Sequence, residues 1–175
     1  MSDDTEPEAM ALATAGADGR PSLRIVLCRG IDARGIRFFT NYESRKGRDL
    51  EENREAAVLF HWASLGRQLR MEGAVERLSG AESDAYFRSR PRAHQISGLV
   101  SPQSHPIESL DRLRRQAAEA NEQHAGSDIP RPPFWGGYLL RPQAIEFWTR
   151  GDDRLHDRVR FDLRDGAWHE RRLAP

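Results

Sequence analysis

The sequence predicts a mainly β protein, a closed or partly closed antiparallel barrel with a few helices packed outside it. Three observations carry this expectation: short alternating or apolar stretches recur along the chain, tight-turn signals separate them, and few segments have helical periodicity. An all-β protein with helices as decoration is the near alternative. In chain order, Met10 to Ala15 and Ser22 to Arg29 flank the turn Ala17-Asp18-Gly19-Arg20 and read as a hairpin. The turn Asp32-Ala33-Arg34-Gly35 leads into Ile36 to Thr40, and Ala56 to Trp62 and Gln68 to Leu78 follow as strands. In the last of these, Leu69, Met71, Gly73 and Val75 alternate with Gln68, Arg70, Glu72 and Glu76, the pattern of a half-buried strand.

Helices are fewer. Ser44 can cap one through about Asn53, and Ser79 another through about Arg90, ahead of Pro91. Pro106 to His124 carries Ile107, Leu110, Leu113 and Ala117 on one stripe, with Glu108–Arg112 and Asp111–Arg115 as supporting i,i+4 pairs. Ala125 to Pro133 is a loop. Strands resume at Gly137 to Leu140, Ala144 to Thr149, Leu155 to Leu163 and Ala167 to Leu173, with turns at Arg150-Gly151-Asp152 and Arg164-Asp165-Gly166.

A chain of 175 residues fits one domain, 1–175, burying about two-thirds of its unfolded surface. The 27 Lys and Arg balance the 27 Asp and Glu, so no global field attracts nucleic acid or an acidic membrane, and charged ligands need local clusters. Apolar runs such as Ile25 to Cys28 and Ala56 to Phe60 are too short to span a bilayer, and the acidic N-terminus lacks a signal-peptide layout, so a cytoplasmic protein is expected. Cys28 is the single cysteine, which excludes an internal disulfide, and six histidines without close His/Cys pairing argue against a metal site. Absent too are a Gly-x-Gly-x-x-Gly fingerprint, a Walker loop and a Cys-x-x-Cys pair.

Three clusters can carry chemistry. Arg45 and Lys46 follow Ser44 in the first turn of an expected helix, where the macrodipole disfavours cations. Helix amides with Arg and Lys make a phosphate site, while ordinary surface cations on a solvated helix end are the plain alternative. Tyr86-Phe87-Arg88-Ser89-Arg90-Pro91-Arg92 gathers three arginines at an expected helix C-terminus, which suits the dipole without any ligand; a second phosphate-bearing ligand is the sharper reading. Arg154, His156 and Arg158 would share one face of a strand, two cations around an imidazole. His156-Asp157 has no accompanying nucleophile elbow and is no triad, and Trp148 alone would be read as core.

Arg24-Ile25-Val26-Leu27, Phe39-Thr40-Asn41-Tyr42-Glu43-Ser44-Arg45-Lys46, Arg67-Gln68, Ser89-Arg90-Pro91-Arg92, Gln103-Ser104, Phe134-Trp135-Gly136-Gly137, Ile145-Glu146-Phe147-Trp148 and Arg154-Leu155-His156-Asp157-Arg158, in this order, resemble the pyridoxine/pyridoxamine 5′-phosphate oxidase family over nearly the full length. The resemblance implies an FMN-binding split β-barrel, a homodimer with FMN at the subunit interface. It implies oxidation of pyridoxine 5′-phosphate or pyridoxamine 5′-phosphate by O2 to pyridoxal 5′-phosphate, with a hydride equivalent leaving the substrate's C4′ carbon and peroxide formed. The cofactor carries the redox step, and the protein orients both rings and anchors both phosphates.

Carried over motif by motif, Arg24, Arg45, Lys46 and Ser104 would hold the FMN phosphate. Gln68, Gln103, Trp148 and Arg158 would contact the rest of the flavin, with Ile25, Val26, Leu27, Cys28, Arg29, Phe39 and Thr40 also in the cofactor set. Tyr86, Arg90 and His94 would take the substrate phosphate together with Arg29, and Arg154, Leu155 and His156 would lie over the substrate ring, Arg154 and His156 as catalytic residues that orient and polarise.

Three features depart from the family pattern. Arg29 stands where a Lys is usual, a fork in place of a point charge, and His94 where a Ser is usual. The family's N-terminal segment that can fold over the substrate is expected to be missing or replaced by residues 1–8, themselves expected to be disordered. The rivals are an FMN oxidase of the phenazine-pathway type on another aromatic substrate, disfavoured by the Tyr86/Arg90 pair, and a non-catalytic flavin- or pyridoxal-phosphate-binding protein, which has no use for Arg154 and His156.

Overall fold

The computed structural model describes residues 6–175. Residues 1–5 of the expected disordered tail lie outside them. Glu6 to Glu8 form a turn: Ala9 N–H donates to Glu6 O, and Trp62 Nε1–H donates to Pro7 O at 3.0 Å. The chain folds as two compact units, one containing the segments up to Phe38, Asp49–Glu76 and Leu139–Pro175, the other Phe39–Arg48 and Arg77–Tyr138.

The strands are β1 (Ala9–Ala15), β2 (Pro21–Leu27), β3 (Gly30–Asp32), β4 (Gly35–Asn41), β5 (Glu55–Trp62), β6 (Arg67–Arg77), β7 (Trp135–Thr149), β8 (Asp157–Arg164) and β9 (Ala167–Arg172). They pair in the order β2-β1-β5-β6-β7-β4-β3, with β8 on β7 and β9 on β8. The first hairpin forms as expected, Ala9 opposite Leu27 and Ala15 opposite Pro21, and Gly19 takes the turn's left-handed position at φ +71°. Period two in β6 buries Met71, Gly73 and Val75.

The core of the first unit is built from Met10, Leu12, Ile36, Phe38, Val58, Phe60, Leu139 and Leu140, each 2% exposed or less. Each such side chain is worth about 1.5–3 kcal/mol of burial. Leu50 of helix α1 (Arg45–Glu52) belongs to this unit and is buried, 3% exposed.

The second unit packs α2 (Gly80–Ser89), α3 (Arg92–Val100) and α4 (Leu110–Gln123) around Phe87, Ile96, Ala120, Ile129 and Trp135. Ser79 opens α2 with a capping box: its hydroxyl accepts from Glu82 N–H while the Glu82 carboxylate accepts from Ser79 N–H. Among the described residues no helix is long and apolar enough to cross a membrane.

Four sequence expectations are corrected. Helix α4 starts at Leu110, because the Ser109 hydroxyl accepts from Arg112 N–H at 3.1 Å and ends the helix there; Ile107 therefore lies outside the stripe, and Asp111 pairs with Arg114 instead of Arg115. Helix α3 was not anticipated: Pro91, read as a stop for α2, is also its N-cap, which places Arg92 at a helix start, its guanidinium bonded to Asn121 Oδ1 and to carbonyls at the end of α4. Gly137–Leu140 and Ala144–Thr149 are one strand, β7, running through Pro142. Flanking glycines make room, since a Cβ on Gly35 would sit 1.9 Å from Leu140 O and one on Gly73 2.1 Å from Arg141 O. Finally, Leu155 and His156 precede β8, and Asp152–Arg154 form a 3-10 turn, so Arg154, His156 and Arg158 do not share a strand face.

Candidate functional site

In the second unit the site begins with Ser44. Its hydroxyl accepts from Gly47 N–H at 3.3 Å and its carbonyl from Arg48 N–H at 2.9 Å, which starts α1 and fixes Arg45 and Lys46 in the first turn. Lys46 is only 7% exposed, and its ammonium donates to Thr40 Oγ1 (3.0 Å), Ser44 Oγ (3.1 Å) and Gln103 Oε1 (3.0 Å). Thr40 and Lys46 are thus one cluster with Gln103, which is distant in sequence, and Ser104 beside it holds the left-handed φ of +69°. The loop is tied at His105, whose Nε2 lies 3.1 Å from Arg48 Nη1 and 3.2 Å from Glu43 O. Arg45 is exposed next to the buried ammonium. Two adjacent cations, helix amides and a strained Ser make a donor set that fits a phosphate such as that of FMN.

The same unit stacks Phe39 on Tyr86, ring centroids 3.8 Å apart at 18°, with Trp135 parallel to Tyr86 at 6.2 Å. The Arg90 guanidinium lies over the Trp135 ring at 4.5 Å, and His94 is exposed in the first turn of α3. Trp135, which the sequence offered only inside a motif, is the platform that joins Tyr86 to Arg90.

In the first unit Arg24 is engaged, donating to Thr14 Oγ1 (2.7 Å) and Leu12 O (3.1 Å) and lying 3.6 Å from Asp49. Along the same strand Ile25 is exposed while Val26 and Leu27 are half-buried, as is Cys28 just past its end, whose thiol pKa is pushed up by burial. Arg29 is exposed, 3.6 Å from Glu8, and Gln68 is half-buried opposite His61 in β5.

At the β7–β8 end, Trp148 faces Arg158 in register and its ring centroid is 4.6 Å from that of His156, while Arg154 and Leu155 are exposed in the turn. Arg158 donates through Nε to Glu146 at 2.8 Å and through Nη1 to Ala174 O at 3.0 Å. Glu146, 3% exposed, also draws Arg70 (3.5 Å) and Arg160 (3.9 Å), a role that nothing beyond its place in the Glu-Phe-Trp motif signals.

A cleft of about 600 Å³ in the first unit is lined by Glu55, Glu72, Arg160 and Asp162 among others. Its Arg160 is paired with Glu72 (3.1 Å) and Asp162 (2.9 Å), and it holds both carboxyls below their usual range. Among the described residues no group of three or more His, Cys, Asp or Glu could hold a metal.

Comparison with known proteins adds the following. Residues 5–124 match the family model for pyridoxamine 5′-phosphate oxidase, and residues 135–175 that for the pyridoxine 5′-phosphate oxidase C-terminal dimerisation region. The chain is 52% identical over 171 residues to the pyridoxine/pyridoxamine 5′-phosphate oxidase of Herminiimonas arsenicoxydans, covering 97% of this chain and 81% of that one. It is 51% identical over 170 residues to the protein of the same name from Rubrobacter xylanophilus, covering 97% and 78%. Among solved structures, PhzG from Burkholderia lata, in complex with tetrahydrophenazine-1-carboxylic acid, superposes with a TM-score of 0.93 at 38% identity over 97% of this chain and 83% of that one. A pyridoxamine 5′-phosphate oxidase-related, FMN binding protein from Nostoc punctiforme shares the fold, with a TM-score of 0.78 at 20% identity over 98% and 90%.

Proposed function

The chain belongs to the pyridoxamine 5′-phosphate oxidase family, and from that premise we infer that it is an FMN-dependent oxidase that makes pyridoxal 5′-phosphate from pyridoxine 5′-phosphate or pyridoxamine 5′-phosphate. Its fold is the FMN-binding split β-barrel and it forms a homodimer. O2 is the proposed electron acceptor: the alcohol and O2 give the aldehyde and H2O2, and the amine consumes one water as well and releases ammonia. The proposed place of work is the cytoplasm. When bound, FMN would supply the two-electron redox chemistry between substrate and O2.

The residues do the rest. In the second unit Arg45, Lys46 and Ser104 hold the FMN phosphate, with Thr40 and Gln103 keeping the Lys46 ammonium in place. Arg90, Tyr86 and His94 bind the substrate phosphate, Arg90 by a guanidinium fixed over Trp135. In the first unit Arg24 is assigned to the FMN phosphate, the segment Ile25 to Arg29 and Gln68 to the flavin, and Arg29 also to the substrate. Trp148 and Arg158 contact the flavin; Arg154, Leu155 and His156 cover the substrate ring and exclude water. FMN is proposed to lie where two protomers meet.

The observation that carries this reading is the buried Lys46 ammonium beside Arg45 at the start of α1. The PhzG likeness favours one second reading, an oxidase of a reduced phenazine precursor. Mixing the FMN-loaded protein anaerobically with either vitamin phosphate is expected to bleach the flavin absorbance; bleaching by a reduced phenazine carboxylate alone would move the assignment to the second reading.

A further inference from the structure

The turn between β7 and β8 has more structure than an exposed loop requires. Arg150 N–H donates to Gly66 O at 2.8 Å, Leu155 N–H to Asp152 O at 2.9 Å and His156 N–H to Arg154 O at 3.0 Å. These bonds hold two consecutive non-glycine residues in the left-handed region, Asp153 at φ +50° and Arg154 at φ +64°, a conformation that the Cβ of an L-residue disfavours. Gly151 sits where the turn closes on itself. Its own φ of −112° suits any residue, but a Cβ there would lie 2.0 Å from Leu155 O. What glycine provides is close approach, and the approach brings the Gly151 N–H to 3.3 Å from His156 Nδ1.

A backbone N–H can only donate. The ring nitrogen it meets must therefore carry a lone pair, and a neutral imidazole with an unprotonated Nδ1 has its hydrogen on Nε2. The Trp148 ring, 4.6 Å away and tilted at 47°, packs against the same imidazole.

We propose that Gly151 is a positioning residue that fixes His156 as the neutral, Nε2-protonated tautomer, so that His156 meets the substrate as a hydrogen-bond donor and not as a proton acceptor. The proposal rests on the reading of His156 as a substrate-facing residue. A hydrogen already on Nε2 leaves no lone pair there to take a proton from the substrate's alcohol or amine. The ring's contribution is to anchor or polarise a lone-pair atom of the aromatic substrate, and the strained turn keeps the donor aimed without help from the ligand.

The test is nitrogen NMR of the histidine-labelled protein at about pH 8, above the ordinary imidazole pKa of about 6.5, with the His156 signals identified by their loss in His156→Gln. This reads the tautomer whether or not the protein turns over, so it can fail while the oxidase reading stands. The expected result is a pyridine-like Nδ1 and a pyrrole-like Nε2. A hydrogen on Nδ1, or a ring protonated on both nitrogens at that pH, would overturn the proposal. Gly151→Ala must displace the turn, and is expected to move the His156 nitrogens toward a tautomer mixture; unchanged signals would equally overturn it. In turnover, His156→Gln, whose amide can donate from the Nε2 position, is expected to keep kcat/KM about tenfold above His156→Asn, roughly one hydrogen bond of about 1.4 kcal/mol. Equal losses in the two variants would contradict the donor role.

Discussion

Lys46 is 7% exposed, and an ammonium at that depth is tolerable because three oxygens, on Thr40, Ser44 and Gln103, receive its hydrogens. Replacing it by Met keeps the volume and removes the charge. Lys46→Met is expected to weaken FMN binding by about ten- to a hundredfold, the size of one charge-assisted hydrogen bond, read by fluorescence titration; an unchanged affinity would remove Lys46 from the phosphate set. Arg45 and Lys46 were legible from the sequence because cations at a helix start oppose the macrodipole. The pairing of Lys46 with Gln103 was not, since it closes 57 residues of chain, and no local pattern encodes such a contact. The Arg154 conformation was hidden for a related reason: nothing in Asp152-Asp153-Arg154 marks positive φ, which the surrounding hydrogen bonds impose.

At the scale of elements, β8 is fastened to its neighbours by charge as much as by its ladder. Arg160 hydrogen-bonds Glu72 on β6 and Asp162 on its own strand, and each carboxyl pKa is depressed chiefly by that hydrogen bond. A depressed folded-state pKa means stabilisation that is complete above the unfolded carboxylate range of about 4 and is lost as pH falls through the lower folded-state values. The melting temperature is expected to fall below about pH 4 in the parent and to fall less steeply in Arg160→Met; parallel curves would show that this cluster does not set the acid limit.

Elements were read best where one period dominated, as in β6 and the first hairpin. They were misread where one residue served two elements. Pro91 both stops α2 and caps α3, and Pro142 lies inside β7 where glycines on neighbouring strands let the backbones close.

For the whole molecule, the mainly β fold followed from turn spacing, whereas assembly lies beyond the folding signals of one chain. The family match includes a dimerisation region over residues 135–175, and β2 leaves Leu23 and Ile25 70% and 65% exposed. Two neighbouring apolar side chains at that exposure fit a surface covered by a second copy. The double variant Leu23→Asp, Ile25→Asp is expected to shift the protein toward monomer in sedimentation velocity, and a dimer of undiminished stability would place the contact elsewhere.

The most direct measurement is aerobic turnover of pyridoxine 5′-phosphate by the FMN-loaded protein, following pyridoxal 5′-phosphate and peroxide together, with Arg154→Ala alongside. Equimolar aldehyde and peroxide, with turnover much reduced in the variant while FMN stays bound, is the expected result. A protein that holds FMN yet forms neither product would contradict the assignment.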